Sequence, residues 1–282
     1  MAEKMKDIKR RINSISSIRQ ITNAMELVST SKMRKTRIKL EKTRPYYSTV
    51  ANNISELLSV TKGVRTPLTK EREIKKSLHI IISSDRGLAG GYSGNVSRYA
   101  ADNIDKENDL LIVIGSKAYD FFRKKGYNIY KKFSMTEDVE FGDAKLISDI
   151  AIDEYKKENV DSISIFYTEF KSAMVQTPSK MILLPANLIE SNKNIDSDVI
   201  SFEPSPEYML DFLIEEYVKI AVYGALIESS ASEQAARMQS MKNATESADD
   251  MIEELDMHYN RARQTSITQE LTEIVSGAEA LN

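Results

Sequence analysis

The residues of this chain that are spaced for chemistry lie in one glycine-rich loop, Asp85-Arg86-Gly87-Leu88-Ala89-Gly90-Gly91, which follows the apolar run Leu78-His79-Ile80-Ile81-Ile82. Ala89-x-Gly91-x-x-Gly94 after a strand is close to the dinucleotide fingerprint, whose glycines let the backbone approach a pyrophosphate at a helix N-terminus. The first glycine of that fingerprint is Ala89 here, and the acid expected about twenty residues on is replaced by Gly115-Ser116. Gly115-Ser116-Lys117-Ala118 also lacks the earlier glycine and the hydroxyl of a phosphate loop. A structural strand-to-helix turn is the reading these departures favour. With no Cys there is neither a disulfide framework nor thiolate chemistry. His79 and His258 are the only imidazoles, so a zinc site would need a cluster of carboxylates to complete it. No catalytic residue, cofactor site or metal site is expected.

The loop sits in a stretch that alternates strand and helix. Strands are predicted at Leu78–Ser84, Leu110–Ile114 and Ser162–Tyr167, with a further β segment at Met174–Leu184 interrupted by Pro178. Helices are predicted at Asn95–Ile104, Lys117–Lys125 and Leu146–Glu158. That order implies a small, Rossmann-like α/β domain over residues 75–190. The Asn-, Ser- and Asp-rich stretch from Pro185 to Pro206 reads as a returning loop.

On either side lie two runs of a different kind. Met1 to Arg44 holds no Gly or Pro, and Glu207 to Asn282 holds only Gly224 and Gly277. The first run carries thirteen Lys or Arg against four acids, and the second fifteen acids against five bases. Ile8, Ile12, Ile15, Ile18, Thr22 and Met25 form an apolar stripe at near-heptad spacing. Ala231, Ala235, Met238, Met241, Thr245, Ala248, Ile252, Leu255, Tyr259 and Ala262 form another. Ser205-Pro206-Glu207 is a helix start, and Pro45 should kink or break the first helix before it resumes to about Ser59. The expected fold is therefore a long antiparallel two-helix coiled coil, of residues 1–59 and 206–282, with the α/β domain between them in sequence. Some seventy residues of helix would be on the order of 110 Å long.

A register follows if both helices start pairing beside the middle domain, near Leu58 and Pro206. Residue i then lies level with about residue 264 − i. Ile12 falls beside Ile252, Lys9 to Arg11 beside Glu253 to Asp256, and Lys32 to Arg37 near Glu228 and Glu233. By the same count Met25 is level with Arg237, and the last eighteen or so residues extend alone. A bare helix end of that kind must be held by another protein. Apolar content of 41% and charged content of 29% fit a soluble chain with long exposed helices, and no apolar run is long enough to span a membrane. The start, MAEKMKDIKRR, has the charge but not the apolar stretch of a secretory signal. A reducing interior such as a bacterial cytoplasm is the expected compartment.

Three blocks carry a resemblance over the whole chain. They are Ile21-Thr22-Asn23-Ala24-Met25-Glu26-Leu27-Val28 with Ser31-Lys32-Met33-Arg34, the loop Asp85–Gly91, and the C-terminal series. That series comprises Ala231–Met238, Met241–Thr245 and Asn260–Ala278, with I-T-x-E-x-x-E-x-x-x-G-A unbroken from Ile267. Together they resemble the gamma subunit of bacterial F-type ATP synthase, with Asn23 standing where a basic residue is common. The resemblance implies a rotary shaft that is itself no enzyme. Its partners would be three alpha and three beta subunits, the epsilon subunit and the membrane c-ring. It would lie at the cytoplasmic face of the cell membrane, touching the membrane only through those partners. Met25 and Arg237 resemble shaft residues that meet an acidic lever segment of the beta subunits. Gln264, Thr268 and Glu270 resemble upper-shaft residues that hydrogen-bond to the beta subunits. Phe202, Glu203 and Pro204 resemble the foot that meets the c-ring.

Two other classes remain open on the residues. A nucleic-acid-binding protein would use the basic first helix as a phosphate-tracking stripe, which the acidic last helix opposes. A nucleotide-binding enzyme would use the middle domain, which the missing fingerprint acid opposes. Steep salt-dependent DNA binding would mark the first, and tight nucleotide binding by the isolated chain the second.

Overall fold

Helix α1 (Ala2–Val60) opens the chain and helix α5 (Pro206–Glu279) closes it. Between them run β1 (Ser77–Ile82), α2 (Tyr92–Ala101), β2 (Leu110–Ile114), α3 (Ser116–Lys124), β3 (Ile129–Phe133), α4 (Phe141–Lys156), β4 (Ser162–Phe170) and β5 (Gln176–Leu184). The computed structural model describes residues 2–60, 66–69, 72–135, 138–186 and 205–279. They form two compact units: Met1–Ser29 with Met238–Asn282, and Thr30–Arg237. Phe202, Glu203 and Pro204 lie outside the described residues.

In the larger unit a five-stranded sheet has the order β3-β2-β1-β4-β5. β3, β2, β1 and β4 run parallel to one another, and β5 runs antiparallel to β4. β1 and β2 are buried along their whole length, which is why both read as unbroken apolar runs. Ile81, Leu111, Val113 and Phe166 face Ala100, Ala118 and Phe122 of α2 and α3. Leu78, Ile80, Ile82, Ile112, Ile163 and Ile165 belong to the second core, with Ala144, Ile147, Ala151 and Tyr155 of α4, Leu40 of α1 and Leu210 to Ala235 of α5. Fully burying an aliphatic or aromatic side chain of this size contributes about 1.5–3 kcal/mol.

The sheet departs from the sequence reading in two places. β3 was not predicted, because its sequence IYKKF is exposed at its three central residues and shows no apolar alternation. It is an edge strand, where lysines are tolerated and discourage further pairing. β5 accommodates Pro178 because it is the opposite edge, where a missing N–H costs no ladder bond on the open side. Pro45 lies inside α1, and the helix continues through it to Val60.

In the smaller unit the two helices pair along a seam of Ile8, Ile12, Ile15, Thr22 and Ser29 on α1 and Met241, Thr245, Ala248, Ile252, Leu255, Tyr259, Ala262 and Ser266 on α5. The α5 seam follows the expected 3–4 spacing. On α1 the interior positions pass through Thr22 and Ser29, while Ile18 and Met25 are exposed. The Thr22 and Thr245 hydroxyls are 2.8 Å apart, and Arg19 pairs with Asp249. Thr22 therefore faces Thr245, three residues beyond the expected 242.

Charge pairing in the larger unit differs as well: Arg44 reaches Glu228 at 3.1 Å, Lys35 reaches Asp138 at 2.8 Å, and Glu233 pairs with Arg237 on its own helix. The first turns of α5 pack beside α4, through Lys156–Glu215 and Lys219–Asp149, a contact that a count from the helix ends does not include.

Ten residues back from Thr22 and ten on from Thr245, Ile12 is level with Leu255. A Cys pair at Ile12 and Leu255 is expected to oxidise faster than one at Ile12 and Ile252, read by non-reducing electrophoresis, since a disulfide needs Cα atoms within about 7 Å. Two glycines give a second expectation. A Cβ on Gly115, at φ +95°, would lie 2.4 Å from the Ser83 carbonyl oxygen, whereas nothing lies within 4 Å of one on Gly224 inside α5. Gly224→Ala should stabilise the fold by about 0.5–1 kcal/mol. Gly115→Ala should destabilise it by at least 1–3 kcal/mol, from backbone strain alone. Thermal melts of the two variants check this.

Candidate functional site

The sheet reverses its strand order between β1 and β4, the place where open α/β sheets receive a ligand at the carboxyl ends of the strands. Here that place is occupied by the chain itself. The last β1–β4 pair is Ile81 with Phe166, and Thr168 lies beyond it. Its N–H donates to Ser229 Oγ at 3.3 Å, and Ser232 Oγ donates to its carbonyl at 3.1 Å, so α5 takes over where β1 stops. The Tyr92 hydroxyl at the start of α2 is buried beside Ser229, Thr168 and Glu233, and burial raises its pKa strongly.

The glycine-rich loop is equally self-contained. Asp85 accepts hydrogen bonds from Ser116 N at 2.8 Å, Ser116 Oγ at 2.7 Å and Met135 N at 2.6 Å. The first N–H of α3, where a phosphate would bind, thus holds an internal carboxylate. Ser84 Oγ donates to the Arg86 carbonyl at 2.8 Å and lies 2.5 Å from Ser93 Oγ. Leu88, at φ +65°, and Gly90, at φ +53°, turn the loop.

At the opposite ends of the strands, His79 links Asp109 and Ser164. Its Nε2 is 3.0 Å from Asp109 Oδ2 and its Nδ1 is 2.7 Å from Ser164 Oγ. The three side chains have the order of a hydrolytic triad, yet all are buried within the sheet, where no substrate reaches them. Asp109 also accepts from Ser77 N and Asp105 N. Burial pushes its carboxyl up, but the bonds from His79 and the two N–H groups outweigh that and hold it below the ordinary value. The constellation ties β1, β2 and β4 together. Among the described residues no group of His, Asp and Glu is placed to hold a metal ion.

The residues marked out in the sequence occupy three settings. Arg237 lies in the larger unit, where its Nη2 is 2.6 Å from Glu233 Oε1 and 3.3 Å from the Gly87 carbonyl oxygen. Met25 lies in the smaller unit on the outside of the pair, 37% exposed, in a stripe with Ile18, Ile21 and Val28. The 3–4–3 spacing of that stripe competes with the true seam, which is why sequence periodicity alone assigned Ile18 and Met25 to it. Gln264, Thr268 and Glu270 are exposed on α5, with Thr268 Oγ1 donating to the Gln264 carbonyl at 2.9 Å. Ser266 is the last buried residue of α5, and residues 267–278 are exposed. Ile267, Leu271, Ile274 and Val275 make that end apolar, a feature the sequence reading did not single out. It was visible in the 4–3 spacing of the first three.

Residues 4–281 match the ATP synthase family model. Among curated relatives, the ATP synthase gamma chain of Alkaliphilus metalliredigens is 47% identical over 98% of both chains. The chain belongs to the ATP synthase gamma chain family. A second gamma-chain relative, described as sodium ion specific, is that of Acetobacterium woodii, 41% identical over the whole of both chains. A chain in the central stalk and c-ring structure of the Tetrahymena thermophila mitochondrial ATP synthase superposes with a TM-score of 0.61 at 28% identity, over 79% of this chain and 99% of that one. A chain of the Euglena gracilis mitochondrial ATP synthase gives a TM-score of 0.75, covering 100% of this chain and 95% of that one. At 19% identity, that likeness bears on the fold alone. No helix among the described residues is long and apolar enough to cross a membrane.

The self-filled crevice gives a clear expectation for this gamma chain: equilibrium dialysis of the isolated chain should show no stoichiometric ATP site at micromolar concentration. Asp109 gives another. Its folded pKa lies below its unfolded one, so its contribution is present above about pH 4 and is lost as pH falls through the folded value. Asp109→Asn should lower the melting temperature at neutral pH and flatten its dependence on pH below 4.

Proposed function

We propose that this chain is the central rotary shaft of an ATP synthase catalytic head. It couples ion flow through the membrane c-ring to conformational change, and so to ATP synthesis, at the beta-subunit sites. In this reading residues 1–59 and 206–282 form the shaft, and residues 75–190 form the body. The partners are three alpha and three beta subunits, the epsilon subunit and the c-ring. Nucleic acid is not among them. The chain lies at the cytoplasmic face of the membrane, held there by its partners, and carries out no chemistry of its own.

The physical need is for asymmetry. Three identical catalytic subunits differ only if something contacts each of them differently, and a ligand shifts a conformational equilibrium only by its differential interaction with the states. A turning shaft with uneven charge and uneven apolar stripes supplies that difference and redistributes it with angle. The observation that carries the reading is the smaller unit. Its seam ends at Ser266, and the helix runs on to Glu279, with residues 267–278 exposed and apolar along one side. A protein surface of that kind calls for an enclosing partner. Gln264, Thr268 and Glu270 stand beside this end and are proposed to meet the beta subunits. Met25 and Arg237 are proposed to meet their acidic lever, and Phe202 and Glu203 the c-ring.

The deciding experiment uses the assembled enzyme in sealed vesicles. Thr268→Cys joined by a disulfide to a surrounding beta subunit should stop multi-turn ion pumping until it is reduced. An internal link between Cys residues at Ile12 and Leu255 should leave pumping intact. Continued pumping by the Thr268-linked enzyme would overturn the rotor reading. Met25→Lys should lower the ions pumped per ATP hydrolysed more than it lowers turnover, because a new ammonium beside acidic partners adds an attraction that differs between rotor positions. An unchanged ratio would remove Met25 from the contact set.

A further inference from the structure

The loop Asp85–Gly91 is the one marked motif to which the rotor reading gives no task, and its geometry supplies one. The loop is braced from below by the three hydrogen bonds to Asp85 and by Ser84. Braced in this way, it presents the Gly87 carbonyl to Arg237 Nη2 at 3.3 Å. The next residue, Leu88, is a non-glycine in the left-handed region and 61% exposed, a backbone state that persists only where its surroundings fix it. On the other side of the guanidinium, Glu233 Oε1 approaches the same nitrogen to 2.6 Å. The Arg237 and Glu233 side chains are only 12% and 10% exposed. Around Glu233 stand Asp85, Arg86 and Tyr92, and burial pushes its carboxyl up while Arg237 pulls it back down.

A carboxylate held in so little solvent costs free energy that an ordinary i,i+4 surface pair avoids. What the arrangement gains is orientation. A long, freely rotating arginine loses rotamer entropy when it engages a partner, and one already fixed loses less. Both contacts fall on Nη2, which leaves Nε and Nη1 as donors toward a second carboxylate.

We propose that Glu233 and the Gly87 carbonyl form a two-point clamp, in which Glu233 is the positioning residue that presets Arg237 for a carboxylate on a surrounding subunit. The proposal rests on the rotor reading and on the place of Arg237 in it. Glu233 touches no partner in this scheme and acts only through Arg237.

The test is made on the assembled enzyme in sealed vesicles, with ions pumped per ATP hydrolysed as the readout and ATP turnover measured alongside. The variants are Glu233→Gln, Glu233→Asp, Arg237→Gln and the double variant Glu233→Gln/Arg237→Gln. Gln keeps the size of the side chain and removes its charge, whereas Asp keeps the charge and draws it back by one methylene. Glu233→Gln is expected to lower the pumping ratio roughly two-fold or more, as Arg237→Gln does. Glu233→Asp should restore most of the ratio, and it serves as the measured variant if the Gln form assembles poorly. The double variant should be no worse than Arg237→Gln alone, because a residue that acts through another adds nothing once that other is gone.

A normal ratio in Glu233→Gln beside a lowered one in Arg237→Gln would overturn the clamp and leave the rotor reading standing. Additive losses in the double variant would also overturn it, showing that Glu233 acts on its own. A normal ratio in Arg237→Gln would remove Arg237 from the coupling contacts, and the clamp with it.

Discussion

Burial of one stretch of α5 organises the larger unit. Leu210, Ile214, Val218, Ala221, Val222, Ala225, Ala231 and Ala235 all lie in the core that also holds β1, β2, β4, α4 and Leu40 of α1. A helix apolar on most of its circumference is stable only where other elements cover it from several sides, and the segment Tyr217–Val222 is buried at every position. The sheet covers one side, α4 another and α1 a third. Alanines and serines on α5 let these elements approach closely, and the serines also serve as hydrogen-bonding groups, as Ser229 and Ser232 do for Thr168. The α/β domain is therefore mounted on α5 through core packing. A torque applied to one meets the stiffness of a close-packed interior in passing to the other.

That mounting fills the place where a Rossmann-like topology commonly receives a ligand. The crevice at the switch point receives α5 where an open sheet of this kind receives a nucleotide, and the N-terminus of α3 receives Asp85 where a phosphate would bind. The Thr168 backbone N–H and carbonyl and the Ser116 N–H find partners from the chain, whereas the Ser83, Tyr92 and Thr168 hydroxyls stay buried without a hydrogen bond. Glu233 and Arg237 extend the same logic to charge, neutralising one another at the edge of the loop. The domain keeps the geometry of a binding fold and fills it from within, which favours a fixed structure over one that opens and closes.

Most of the elements were legible in the sequence because their patterns are strong. The continuous apolar runs of β1 and β2, the Ser205-Pro206-Glu207 helix start and the 3–4 spacing from Met241 to Ala262 each admit a single reading. The failures fall where the local pattern is weak or doubled. β3 carries Tyr130, Lys131 and Lys132 at an edge, where no second face is buried to impose alternation. On α1, Ile18 and Met25 fit a seam as well as Thr22 and Ser29 do. Only the partner helix, with Thr245 opposite Thr22, decides between them. The register slipped for a related reason, since a count from the helix ends cannot know that α5 first packs on α4. Arg237 and the loop Asp85–Gly91 were marked, but not the contact between them or the bracing role of Asp85, because Gly87 meets Arg237 and Asp85 meets Met135 from distant parts of the chain.

The two stripes on α1 also bear on how one helix serves both as structure and as surface. The seam uses small polar residues at Thr22 and Ser29, which pack closely and bury little apolar area. The larger apolar residues Ile18, Ile21, Met25 and Val28 are left on the outside, as are Ile267, Leu271 and Ile274 on α5. If pairing of the two helices were the only requirement, the larger residues would belong in the seam, where each would contribute more. Their outward placement is explained when the pair turns inside a sleeve of other subunits. Smooth apolar contact lets it slide there, whereas directional hydrogen bonds would hold it at particular angles. Gln264, Thr268 and Glu270 stand exposed among these apolar neighbours, so the same end of α5 presents polar and apolar groups side by side.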